Sequence, residues 1–220
     1  FNGNIDHESL SVDNLTFNFE DGIVKSNLLI KRSENGLEIK GGKINAEFNH
    51  LNIDKILNSG KRNVESSKGT QLPHDLNLQF DLSIKDGIAF EREFRNFEMN
   101  VIFAKGDIEV KKIETELMKG KLSLYSDIKY NQEGIWYVKA DGNTTFPHLS
   151  VRDLLNDFHK EKSSSSETEK PFKLPEIVDI NLGVKIDSLE YGKLVFNNIH
   201  TKINVTRDEI EIEDFSINLN

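Results

Sequence analysis

The stretch LPHDLNLQFDLSI, residues 72–84, alternates apolar and polar side chains along its length, and LPEIVDINLGVKI, residues 174–186, does so again. A period of two puts every second side chain on the same side of an extended backbone. Each stretch therefore predicts a strand with one apolar and one polar face. Most of the chain is written this way. From residue 72 onward, strands are predicted at roughly 74–85, 94–104, 107–117, 120–130 and 134–146, each bounded by Gly, Asp or Asn turn residues. At about 3.3 Å per residue such strands reach roughly 33 Å, long against the usual five or six residues.

A polar face can rest in water, but an apolar face needs cover. Leu76, Leu78, Phe80, Leu82 and Ile84 share one side of the first of these strands, with Asn77, Gln79, Asp81 and Ser83 on the other. The next strand adds Phe97, Met99, Val101 and Phe103, and the fourth adds Leu122, Leu124, Ile128 and Tyr130. Helical spacing is confined to short segments. Val151, Leu154, Leu155 and Phe158 predict a helix at about 150–159, and its counterpart falls at about 52–58. Such a helix is about 15 Å long and cannot span five strands spaced about 4.8 Å apart. The sheet must curl on itself, pack on a second sheet or hold an apolar ligand.

The pattern repeats without gaps. Residues 15–57 align with 113–155, 98 residues on, placing Gly22 on Gly120, Gly36 on Gly134, Phe48 on Phe146 and His50 on His148. A second match, 102 residues apart, places Leu72 on Leu174, Phe94 on Phe196 and Leu117 on Leu219, with a one-residue slip near Gly87. SLSVDNLTFNF, DIEVKKIETEL and EIEIEDFSINL are one strand written three times, and each changes parity midway, which predicts a β-bulge. The expected organisation is a partial repeat over 1–58, a linker over 59–71, and a complete repeat over 72–159. A Ser-rich linker over 160–171 and a partial repeat over 172–220 follow. The chain is expected to be a cut from a longer array, of which it carries about eleven strands.

Several functions are disfavoured by composition. The net charge of -9 opposes a nucleic-acid partner, because phosphate binding needs a basic surface. The absence of Cys removes thiolate nucleophiles, disulfides and Cys-based zinc sites. No glycine-rich phosphate loop or nucleophile elbow occurs, so no catalytic residue and no enzyme activity is expected. The six histidines, His7, His50, His74, His148, His159 and His200, lack metal-ligand spacing, so no metal is expected. His50 and His148, being repeat equivalents, are expected at structural turns.

The segments LPEIVDINLGVKIDSLEYGKLVFNNIHTKINVTRDEIEIEDFSINL and FPHLSVRDLLNDF resemble the repeat and the strand-to-helix segment of the AsmA-like family of bacterial envelope proteins, the AsmA/TamB/YhdP type. The resemblance extends over nearly the whole chain and carries no catalytic motif. It implies a mainly β fold: a long antiparallel meander curled into a taco-like groove of ~100-residue repeats, each of five strands plus a short helix. It implies a periplasmic location and an inner-membrane anchor outside these 220 residues. It further implies phospholipid traffic between inner and outer membranes, with the apolar residues named above lining the groove against acyl chains. No cofactor is expected beyond a bound phospholipid or fatty acid, and the outermost strands are expected to be open to edge-strand self-association. The contrasting expectation is a structural or assembly scaffold of the envelope with a closed apolar core and no lipid.

Overall fold

The computed structural model describes residues 2–5, 9–19, 21–33, 36–55, 75–89, 91–131, 134–152 and 175–219. These residues are almost entirely strand. The order is β1 (Asn2–Ile5), β2 (Ser9–Phe19), β3 (Gly22–Ser33), β4 (Gly36–Asn52), β5 (Asn77–Ala89), β6 (Arg92–Ala104) and β7 (Asp107–Leu117). It continues with β8 (Gly120–Asn131), β9 (Gly134–Phe146), β10 (Leu149–Ser150), β11 (Ile177–Tyr191), β12 (Leu194–Thr206) and β13 (Ile210–Leu219). Twelve of them form one open sheet in chain order, and the short β10 lies off this path against β11. At about 4.8 Å per strand the sheet is about 53 Å wide.

The antiparallel meander needs correcting at two joins. β4 runs parallel to β5 (Ile44 opposite Phe80), and β9 runs parallel to β11 (Gly142 opposite Leu182). The sheet is therefore mixed. Parallel neighbours require the chain to return to the starting end, which takes a dozen or more residues. The segments between Asn52 and Asn77 and between Ser150 and Ile177 are long enough for this return, whereas the antiparallel joins are only a few residues long. The helices expected at about 52–58 and 150–159 fall at the starts of these two segments in the sequence. Residues 53–55 and 151–152 are helical, Asn52 and Ser150 at the expected helix starts are strand, and 56–58, 153–159 and the linkers at 59–71 and 160–171 lie outside the described residues. Asn52 caps the first helical turn, its Oδ1 accepting from the Lys55 backbone N–H at 2.9 Å. Asp54 in that turn accepts from the Glu91 N–H at 2.9 Å, tying the return to the β5–β6 turn. The strand total also exceeds the expected eleven, because β1 and β10 add short pairings of their own.

The register in one half recurs in the other. Ile44↔Phe80 and Gly142↔Leu182 are related by the sequence offsets of 98 and 102, as are Val24↔Ala46 and Leu122↔Thr144. Phe80↔Val101 and Leu182↔Ile203, and Phe94↔Leu117 and Phe196↔Leu219, keep the offset of 102. The slip expected near Gly87 is absent, since Asp86↔Arg95 and Ser188↔Asn197 hold the same offset. The predicted bulges are present, with register shifts between Val12 and Leu15 and between Val110 and Ile113. At two of the three related bulges a short polar residue takes a left-handed conformation: Asn14 (φ 56°) and Asp214 (φ 52°), residue types that tolerate it. Gly22 and Gly120 stand under the rings of Phe48 and Phe146, where any Cβ would collide with the ring. These are glycines covered by a cross-strand aromatic, a pairing that pins the register at this end of the sheet.

Candidate functional site

Cross-strand partners share a face, so the register defines what each face presents. The sequence-predicted residues of β5 and β6 are direct partners: Leu78 with Phe103, Phe80 with Val101, Leu82 with Met99 and Ile84 with Phe97. Those of β8 join the same face. Leu124 is opposite Ile113, which is opposite Met99, and Ile128 is opposite Ile108, which is opposite Phe103. Leu122 lies opposite Thr115 and Thr144. Leu76 precedes β5, and its carbonyl accepts from the Lys105 N–H at 3.3 Å.

These residues belong to longer rows. One row crosses eleven consecutive strands from β2 to β13 as Phe17, Val24, Ala46, Leu82, Met99, Ile113, Leu124, Gly142, Leu182, Ile203 and Ile212. It contains no polar side chain. The row's continuation outside the middle unit was not singled out from the sequence, although the same alternation at Val24, Leu182 and Ile203 carries the signal. Adjacent side chains partly cover one another: Leu124 and Leu182 lean over Gly142, within 3.1 Å of where its Cβ would stand.

Among the described residues no second layer lies over this face. The strands contact their sheet neighbours, and the face stays accessible. Leu76, Ile84 and Val101 are buried (5%, 0% and 6% exposed). Leu78, Phe80, Leu82, Phe97, Met99, Phe103, Leu122, Leu124 and Ile128 are half-buried. In a sandwich core these central side chains would be sealed. At the ends of the row Phe17 and Ile212 are 51% and 64% exposed.

The opposite face carries a ladder of charges. Lys43 Nζ lies 2.9 Å from the Asp81 carboxylate, to which Asn100 and Gln79 also donate. Burial pushes the Asp81 carboxyl up, but those three donors together outweigh it and hold the group below its ordinary value of 3.8. Lys112 bridges Glu98 at 2.7 Å and Glu114 at 3.0 Å; the two carboxylates, Glu98 foremost, push it up to about 12. A recess of about 350 Å³ opens on this polar face, walled by Lys25, Glu47, Asp81, Glu98 and Lys112 among others. Asp81, Glu98 and Lys112 are each engaged in the ladder, Asp81 with Lys43 and Asn100 and Glu98 with Lys112.

The depressed Asp81 pKa has a consequence for stability. A carboxylate held below its unfolded value stabilises the fold above that unfolded value, and the contribution is lost as pH falls through the folded one. Urea unfolding midpoints should therefore drop between about pH 5 and pH 2, and Asp81→Asn should flatten that drop. An identical pH slope in the variant would remove Asp81 from the ladder's energetics.

No protein-family model matches the chain, and no curated protein does. Two solved structures align with it. One, a sex pheromone staph-cAM373 precursor, aligns at 9% identity and TM-score 0.18, over 86% of this chain and 74% of that one. The other, a sex pheromone precursor from Lactobacillus salivarius subsp. salivarius UCC118, aligns at 9% identity and TM-score 0.15, over 86% of this chain and 66% of that one. Likeness at that level carries no assignment of fold or function.

Of the two histidines expected at turns, His148 lies at a break between strands and His50 does not. His50 lies within β4, not at a turn, with Nδ1 2.5 Å from Asp86 of β5. His148 sits at the break between β9 and β10, 3.8 Å from Glu190. Among the described residues no three His, Cys, Asp or Glu side chains gather as a metal site, and no helix is long and apolar enough to cross a membrane.

Proposed function

We propose that this sheet is a segment of an apolar trough that holds lipid acyl chains without acting on them chemically, in a larger bacterial envelope protein of AsmA-like type. The observation that carries the reading is the eleven-residue apolar row from Phe17 to Ile212, unbroken from β2 to β13 and with no second layer over it among the described residues. Methylene groups laid along such a row gain about 0.8 kcal/mol each when fully removed from water. The recurrence of the pairings at offsets of 98 and 102 supports a further point: repeats of five strands with a short helical return would extend the same trough. In this reading the residues lining it in the middle unit are those around Phe80, Met99 and Leu124, and the polar ladder faces water. The setting is the periplasm, the anchor lies in another part of the protein, and the cargo is phospholipid in passage between the two membranes.

The experiment is mass spectrometry of an organic extract of the protein purified from a bacterial envelope fraction. Phospholipid recovered in stoichiometric amount supports the trough. A lipid-free, monodisperse protein would favour a scaffold that only spans distance.

A further inference from the structure

We propose that the recess on the polar face binds a small zwitterion, one carrying a primary ammonium and an oxyanion separated by a short chain. The recess lies inside the sheet, over β3 to β7, and takes in about 350 Å³. On its far side the ladder is closed, with Asp81 on Lys43 and Lys112 on Glu98. The near side is different. The side chains of Lys25 in β3, Asn45 and Glu47 in β4 and Ser83 in β5 line it, and they take part in no hydrogen bond or ion pair among the described residues.

Three observations point to that ligand. The first is an ion pair left unmade. Lys25 stands opposite Asn45, and Glu47 is two residues along from Asn45, so the two charges are diagonal cross-strand neighbours within reach of each other. Elsewhere on this face Lys43, Lys112 and Lys139 each take a carboxylate, whereas Lys25 and Glu47 line the recess unpaired. The second is the division of the four groups into rows. Lys25 and Asn45 are register partners that can donate, and Glu47 and Ser83 are register partners that can accept. The rows lie two residues apart along the strands, about 6.6 Å. An oxyanion held by the first row and an ammonium held by the second therefore sit a few bonds apart, as in O-phosphoethanolamine or 4-aminobutyrate. An α-amino acid, with one carbon between its charges, is too short to engage both rows. The third is the other unit. At offsets of 98 and 102 the four positions are Ser123, Asn143, Thr145 and Lys185, paired in the same register with no carboxylate among them. The same frame forms there without the Lys25 and Glu47 charges, so the fold does not require them. The site opens on the polar face and does not rest on the lipid reading of the apolar one.

The test is isothermal titration calorimetry of the 220-residue chain at low ionic strength, where exposed charges are least screened. O-phosphoethanolamine and 4-aminobutyrate are expected to bind saturably with a Kd of about 1 mM or tighter, and alanine at least about tenfold more weakly. Lys25→Ser and Glu47→Thr install the residues that the other unit carries in the same frame, so both variants fold. Each should lower affinity at least about tenfold with circular dichroism unchanged. With binding established, displacement of 4-aminobutyrate by phosphatidylethanolamine–phosphatidylglycerol vesicles, and not by phosphatidylglycerol vesicles, assigns the zwitterion to a lipid headgroup. Retention against both assigns it to a free solute. The proposal is overturned by no saturable binding up to about 20 mM of either probe. It is equally overturned by alanine binding as well as the longer zwitterions, or by folded variants that bind as the parent does.

Discussion

Phe80→Asp is expected to strip co-purified phospholipid from the protein, leaving less than about a tenth of the parent amount, while the β-sheet circular dichroism stays unchanged. Phe80 sits between Ile44 and Val101 on the apolar face and is half-buried. In the empty sheet a carboxylate there reaches water across the open face, so folding loses only the packing of one ring. Once acyl chains cover the face, the same carboxylate must be desolvated without a partner, which costs several times what a methylene contributes. Val101→Asp is a poorer choice, because Val101 is only 6% exposed and its replacement disturbs the sheet itself. Gln79→Glu, one residue away on the polar face, should leave lipid content as it was. Equal lipid in folded Phe80→Asp and the parent would take Phe80 off the lipid path.

The largest stability effect is expected at Ile84. Its side chain is fully buried, and its register partners are Phe48 and Phe97, with Phe94 against Phe97 in an edge-to-face pair at 5.8 Å. This cluster lies at the end of the sheet where the chain leaves β4, so it ties β4 to β5 across a parallel pairing. Ile84→Ala removes most of the side chain from a site walled by rings that cannot collapse inward. A loss of about 2–5 kcal/mol follows. For a chain of this size that lowers the thermal midpoint by about 2–4 °C per kcal/mol. Ile212→Ala, at an exposed position, should change stability by no more than about 0.5 kcal/mol. A thermal scan in which the two variants coincide would mean that the Phe48–Ile84–Phe97 cluster does not hold the sheet together at the β4–β5 join.

Much of the sheet is legible in the sequence, for a simple reason. A period of two fixes which side chains share a face, and turn residues fix where the strand stops. The strands expected at 107–117 and 134–146 carry those bounds in the structure, and the bulges fall where the parity changes. Alternation says nothing about the direction of the next strand, however. Leu82 faces the same way whether Ala46 beside it runs parallel or antiparallel, so alternation leaves the direction of the β4–β5 and β9–β11 joins open. The signal that could have found them was length: the stretches after Asn52 and Ser150 are too long for a hairpin. The candidate face divides in the same way. The phase of Leu78, Phe80, Met99 and Leu124 was written in the residues. How far each is covered depends on strands far away in the chain, and so does the burial of Ile84 beside a half-buried Leu82.

The central claim is that acyl chains lie on the apolar face and not on the polar one. Met99 and Asn100 are adjacent in β6 and point to opposite faces, Met99 opposite Leu82 and Asn100 opposite Asp81. Replacing each in turn with a photoreactive phenylalanine analogue, irradiating the protein in envelope fractions labelled with radioactive phosphate, and counting lipid adducts separates the two faces at single-residue distance. Lipid adducts from position 99 with none above background from position 100 is the predicted result. Equal labelling of both positions, or labelling at neither in a folded protein, would contradict it.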